Sequence, residues 1–155
     1  MDTSALVKIY ADEQGRDEVQ RALEEVRVTA ISSVGLGEAR SALLPGRNAK
    51  GLSQYKSTIM RSRFCCVTSG KSTLCEWSQR IINRAGAITR THALRALDAV
   101  HLATALSLRD EAYELAVARQ TEPREVPLWE SDEFQVRLLA YDHSLIEAAR
   151  QEGFA

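Results

Sequence analysis

Leu94-Arg95-Ala96-Leu97-Asp98-Ala99-Val100-His101-Leu102-Ala103-Thr104-Ala105-Leu106 is the stretch whose reading decides the fold. It is helix-forming and almost wholly apolar, and one carboxylate, Asp98, interrupts it. Leu94, Leu97, His101, Ala105 and Leu108 recur at steps of three and four, which predicts a helix with one face to bury. Asp98 sits beside that face, near Val100 and Leu102. An ionised acid there is costly unless it is paired, hydrogen-bonded or bound to a metal. The acids elsewhere with settings suited to join it are Asp2, Glu38 and Asp142.

The chain has 155 residues, enough to bury a core without disulfides or a structural metal, and reads as a single domain over 1–155. No apolar run approaches the roughly 20 residues of a membrane span. The first residues lack the basic start and apolar middle of a signal peptide, so the expected location is the cytoplasm. Cys65, Cys66 and Cys75 show neither paired spacing nor accompanying histidines, which disfavours a disulfide framework and a zinc site.

A formal net charge of -1 conceals an uneven distribution. Between Ala39 and Leu97 stand 11 of the 20 Lys and Arg residues, against the single acid Glu76. Such asymmetry permits a cationic surface and a polyanionic partner on a near-neutral protein. The plainer reading is a set of solvated helix faces, since no aromatic residues interleave with the basic ones as in a stacking platform.

Taken in order, Asp2-Thr3-Ser4 feeds a short apolar helix that ends near Asp12 to Gly15, and the triplet resembles a strand end without its strand. Val19, Leu23 and Val26 predict an exposed amphipathic helix over 16–26. β-Branched residues predict a strand over 26–31. Ser32, Ser33, Gly35 and Gly37 predict a turn, then a helix from about Leu36 with Glu38 in its first turn. Residues 46–63 carry no clear periodicity. Phe64 to Thr68 predicts a strand, Ser72 to Arg84 a helix, and Gly86 a break before the Leu94 to Leu108 helix, whose exit is Arg109-Asp110-Glu111. A frayed helix and an irregular connection are expected over 111–135, around Pro123, Pro127 and Trp129. Val136 to Tyr141 is the clearest predicted strand. It ends in Asp142, and Ser144 with Glu147 forms a capping box for the helix that follows. Strands alternating with helices predict a three-layer α/β/α domain whose central parallel sheet has four to five strands.

In an open parallel sheet, functional groups gather at the carboxyl ends of the strands. Asp142 lies at such an end, Asp2 would if a strand preceded it, Glu38 begins a helix beyond a third, and Asp98 opens a helix. Each has a structural reading: Asp2 and Asp142 as helix N-caps, Glu38 as a partner of a helix dipole. Together they form an oxygen-only set that suits Mg²⁺ or Mn²⁺, because clustered carboxylates keep their protons unless a hard cation neutralises them. Such a site points to phosphate chemistry.

At these residues the chain resembles the PIN domain family and, within it, the ribonuclease toxins of the VapC type. The matching pieces are Asp2 to Lys8, Gly37 to Leu43, Leu94 to Ala105, and Leu139 to Asp142 with the helix after it. The resemblance implies a parallel sheet flanked by helices and an acidic Mg²⁺ or Mn²⁺ site made by Asp2, Glu38, Asp98 and Asp142. It also implies hydrolysis of RNA, a homodimer, and inhibition by a small cognate antitoxin. Relatives carry strand residues before the first aspartate where only Met1 stands here, so the first strand is expected to be truncated. They also carry a small hydroxyl residue where Ala140 stands.

Other features read as structural. Ser69-Gly70-Lys71-Ser72-Thr73 resembles the end of a phosphate-binding loop, but Cys65 replaces the glycine that the motif needs. His92, His101 and His143 have no helical metal-ligand spacing. His101 is expected as a hydrogen-bond partner of Asp98 or a packed core residue, His143 near the rim, and Trp77 and Trp129 as packing anchors. The leading expectation is a metal-dependent endoribonuclease. The alternative is a catalytically weak PIN-like module that binds an antitoxin or RNA.

Overall fold

A computed structural model describes residues 1–11, 13–42, 72–118 and 135–154. They divide into two compact units, Met1–Ser78 with Leu139–His143, and Gln79–Leu138 with Ser144–Ala155.

The first unit carries α1 (Thr3–Ala11), α2 (Arg16–Glu25), β1 (Thr29–Ser32), α3 (Ser33–Ala42) and β2 (Ser72–Cys75). Helix α1 starts where it does because the Asp2 carboxylate accepts the Ala5 N–H at 3.0 Å, the bond an N-cap makes to the third helical residue. Its apolar run then buries Ala5, Leu6 and Ile9 with Val19 of α2, Ile31 of β1 and Ala39 of α3. Gly15, at φ 93°, turns the chain into α2, a conformation that glycine adopts without a steric cost. β1 and β2 pair in parallel, Thr29 opposite Ser72 through Ser32 opposite Cys75. Met1 and Asp2 bind neighbours on two sides: the Met1 amino group donates to Ala30 O at 2.9 Å, and Asp2 N–H to Leu139 O at 3.0 Å.

The second unit is helical: α4 (Gln79–Thr91), α5 (Ala96–Ala118) and α6 (His143–Gln151), whose first residue falls in the other unit. Ile81, Ala85 and Ile88 form the buried stripe of α4, which packs on α5. At the end of α6, Gly153 stands at φ 84° while its N–H reaches Arg150 O and the Phe154 N–H reaches Ala149 O. That pair of bonds is a Schellman cap, and Phe154 is the apolar residue buried beneath it.

The parallel α/β class holds, with two strands among the described residues. Several expectations are corrected. Val136 to Tyr141 forms no strand: among the described residues its one backbone-to-backbone bond to another segment is the Asp2 N–H to Leu139 O, too little for a ladder. Ser72 opens a strand instead of a helix, since serine and threonine are weak helix formers and β1 offers the partner. α3 begins at Ser33, so Gly35 and Gly37 lie within it and Glu38 falls in its second turn. Packing against α1 outweighs the glycine penalty of about 1 kcal/mol each. Gly86 does not break α4, because it lies off the buried stripe, where an added Cβ would meet open space.

The decisive helix is longer and more deeply buried than its periodicity predicts. Every residue from His101 to Ser107 is buried, whereas Leu97 is 40% exposed. A helix apolar all round is buried all round. Arg109-Asp110-Glu111 does not end it: Arg84 reaches Asp110 at 2.5 Å and Arg109 donates to Glu152 O at 2.7 Å, so two of the three charges are partnered within the unit and Glu111 is exposed. α6 begins at His143, which puts Asp142, not Ser144, at the capping position. Trp77 is 52% exposed and does not anchor the packing. The expected strand over 64–68, residues 46–63, Cys65, Cys66 and Trp129 lie outside the described residues. Among the described residues, no helix is long and apolar enough to cross a membrane.

The α5 core and the α6 cap rank differently in stability. Leu102, with 0% exposure, is expected to cost roughly 2–5 kcal/mol as Leu102→Ala. Gly153→Ala is expected to cost about 1 kcal/mol, the steric penalty of a left-handed alanine. Urea denaturation of the two variants measures the order.

Candidate functional site

Asp2, Glu38 and Asp142 belong to the first unit and Asp98 to the second. Asp2 is 3% exposed, a burial that an ionised acid tolerates only with close donors. It has them. Ser4 Oγ lies 2.9 and 2.8 Å from its two carboxylate oxygens, and the Ala5 N–H lies 3.0 Å from Oδ1. The same Ser4 Oγ accepts the Tyr141 N–H at 2.9 Å, which ties the residue before Asp142 to the Asp2 carboxylate through one hydroxyl. Next to it, Thr3 Oγ1 donates to Glu38 Oε2 at 2.6 Å, with Gly35 O a further 3.5 Å contact. Thus the first two residues of α1 hold two of the predicted acids and the segment carrying a third.

Tyr141 locks the same corner from outside. Its hydroxyl lies 3.2 Å from both Gly15 O and Glu18 Oε2, and Lys8 Nζ stands 4.4 Å from its ring centre. Burial raises the phenol above its ordinary value, and the hydrogen bond to Glu18 adds to the rise. Burial also pushes the Met1 amino group below its ordinary value, against the opposing effects of Asp2 and Cys75.

Asp142 is exposed immediately before α6, and His143 beside it is exposed as well. Asp98 is half-buried in the first turn of α5, and His101 one turn later is buried, in keeping with a core role. His92 is committed elsewhere, 2.8 Å from Glu152. Ser72 and Thr73 lie in β2, whereas a phosphate-binding loop would have them open a helix.

The oxygen donors of Asp2 and Glu38 fit a hard divalent cation by their chemistry. Among the described residues, Asp2 Oδ2 takes a share of one donor, which leaves lone pairs for a ligand bond. Among the described residues no three His, Cys, Asp or Glu side chains are assembled as a metal cage. Mg²⁺ seldom uses one; it is held by one or two carboxylates together with water and substrate phosphates. The roles of Thr3 and Ser4 were missed in the sequence. Their signal was two consecutive hydroxyl residues directly after an aspartate at a helix start.

The PIN domain family model matches residues 1–154. The chain belongs to the PIN domain family. PIN domains are nucleases as a class, typically dependent on divalent metal ions, so a phosphodiester hydrolase follows at the family level. The comparisons with curated proteins and with solved structures found no match.

Tyr141→Phe is expected to cost about 1 kcal/mol at neutral pH, the usual worth of a partly exposed hydrogen bond. Because the folded phenol titrates above 10.0 and the unfolded one near it, the native state keeps its proton longer. The Tyr141 contribution is therefore complete below pH 10 and is lost as pH rises through the folded value. Tyr10, also raised by burial, stays in both proteins. Alkaline denaturation curves of wild type and Tyr141→Phe are expected to converge above pH 10.

Proposed function

We propose that this PIN domain is a metal-dependent endoribonuclease, the toxin of a toxin–antitoxin pair, which adds water across P–O ester bonds of RNA. The observation that carries the reading is the family match over residues 1–154, which takes in Asp2, Glu38, Asp98 and Asp142. These carboxylates would hold Mg²⁺ or Mn²⁺. The chemistry supplied by such a cation, when bound, is activation of water and stabilisation of charge on the cleaved phosphate. Asp2 and Glu38 bring ligand oxygens already oriented by Ser4 and Thr3. The basic stretch between Ala39 and Leu97 attracts the phosphate backbone, with Arg90 and Arg95 exposed and an affinity that falls as salt rises. The partners that go with this reading are a small antitoxin and a second copy of the chain, in the cytoplasm.

Cleavage of total cellular RNA by the purified chain with Mn²⁺ or Mg²⁺ tests it. Discrete fragments are expected, lost with EDTA and reduced roughly a hundredfold or more in Asp98→Asn, since the cation's contribution is worth several kcal/mol. A folded wild-type chain that leaves RNA intact, or an Asp98→Asn protein that cuts equally well, overturns the nuclease reading and favours a binding module.

A further inference from the structure

Thr3 and Ser4 are consecutive residues whose hydroxyls are both spent on carboxylates of the candidate centre. A hydroxyl has one proton and two lone pairs. At Ser4 the Tyr141 N–H occupies a lone pair at 2.9 Å, so the proton is directed to Asp2, shared between oxygens at 2.9 and 2.8 Å. That sharing stops the carboxylate from rotating. Oδ1 is further engaged by the Ala5 N–H, which leaves Oδ2 as the freer oxygen. At Thr3 the proton belongs to Glu38 Oε2 at 2.6 Å and not to Gly35 O at 3.5 Å. Both hydroxyls ride on the first turn of α1, which Asp2 itself caps, so the two carboxylates share one reference point.

We propose that Thr3 and Ser4 are positioning residues that preset Glu38 and Asp2 for a divalent cation, Ser4 leaving Asp2 Oδ2 as the ligand atom. Ser4 also couples that oxygen to the backbone before Asp142. The proposal rests on the metal-nuclease reading above. Neither hydroxyl touches the cation or the substrate. Each acts through its carboxylate, as outer partners of metal ligands do.

The test is titration of the full chain with Mn²⁺, the free ion followed by its electron paramagnetic resonance signal, with thermal melts run on every variant. Ser4→Ala and Thr3→Val are expected to weaken Mn²⁺ binding by roughly 10- to 100-fold, the range for loss of an outer partner. Ser4→Thr and Thr3→Ser, which keep the hydroxyl, are expected to restore it. Folded Ser4→Ala with wild-type affinity overturns the proposal, as does weak binding in both conservative variants. Should Ser4→Ala fail to fold, Thr3→Val decides: wild-type affinity there overturns the proposal, and weakened affinity rescued by Thr3→Ser supports it. A wild-type chain that binds no Mn²⁺ overturns the metal reading itself. One that binds Mn²⁺ and cuts RNA while Ser4→Ala matches its affinity sinks only the present proposal.

Discussion

A buried carboxylate at the start of a helix is the constraint on which the first unit depends. Asp2 has 3% exposure, and its desolvation would cost several kcal/mol without donors. Its own helix supplies them, through Ser4 Oγ and the Ala5 N–H. Because those donors sit at fixed positions of α1, satisfying the charge also fixes the direction in which the helix leaves. The backbone of the same residue reaches Leu139, and Met1 reaches β1. Two consecutive residues therefore set a helix, a strand and a returning segment relative to one another.

The second unit solves the burial problem differently. Its central helix is apolar through His101 to Ser107 and needs cover on every side. Charge appears at its margins, where two of the groups find nearby partners: Asp110 with Arg84, and Arg109 with the carbonyl of Glu152. Glu152 in turn meets His92 at 2.8 Å, so the turn after α4 and the end of α6 are joined. Phe154 lies under Arg109, 4.9 Å from ring centre to guanidinium, and closes the unit. Such pairs at a half-exposed margin contribute little energy singly, but they select one arrangement of the helix ends.

Much of the local structure was legible in the residues. α1 and α2 follow from apolar spacing and from Asp2 and Gly15 at their starts. Val26 to Ile31 announced β1 through its β-branched residues, and Asp98 fell in a first helical turn as its setting required. The misreadings share a cause, which is that periodicity describes a segment in isolation. Leu97 belongs to the apolar spacing of α5 and is still 40% exposed, because burial there depends on which neighbours arrive. Val136 to Tyr141 has a strand's composition, but a strand is a relation between two backbones. Gly35 and Gly37 are turn residues by propensity, and packing of α3 on α1 overrides a preference of about 1 kcal/mol each.

The candidate site divides along the same line. By itself the sequence determined which acids are available, that they are oxygen donors suited to a hard cation, and that their order and spacing resemble those of a PIN domain, since side-chain chemistry and spacing are properties of the chain alone. Only the tertiary structure decided which donors hold Asp2 and Glu38. Ser4 lies two residues from Asp2 and 137 from Tyr141, and it serves both. Glu38 meets Thr3 across 35 residues. A hydroxyl's single proton goes to whichever acceptor the fold brings within reach, and that choice is made by distance in space, which no local pattern records.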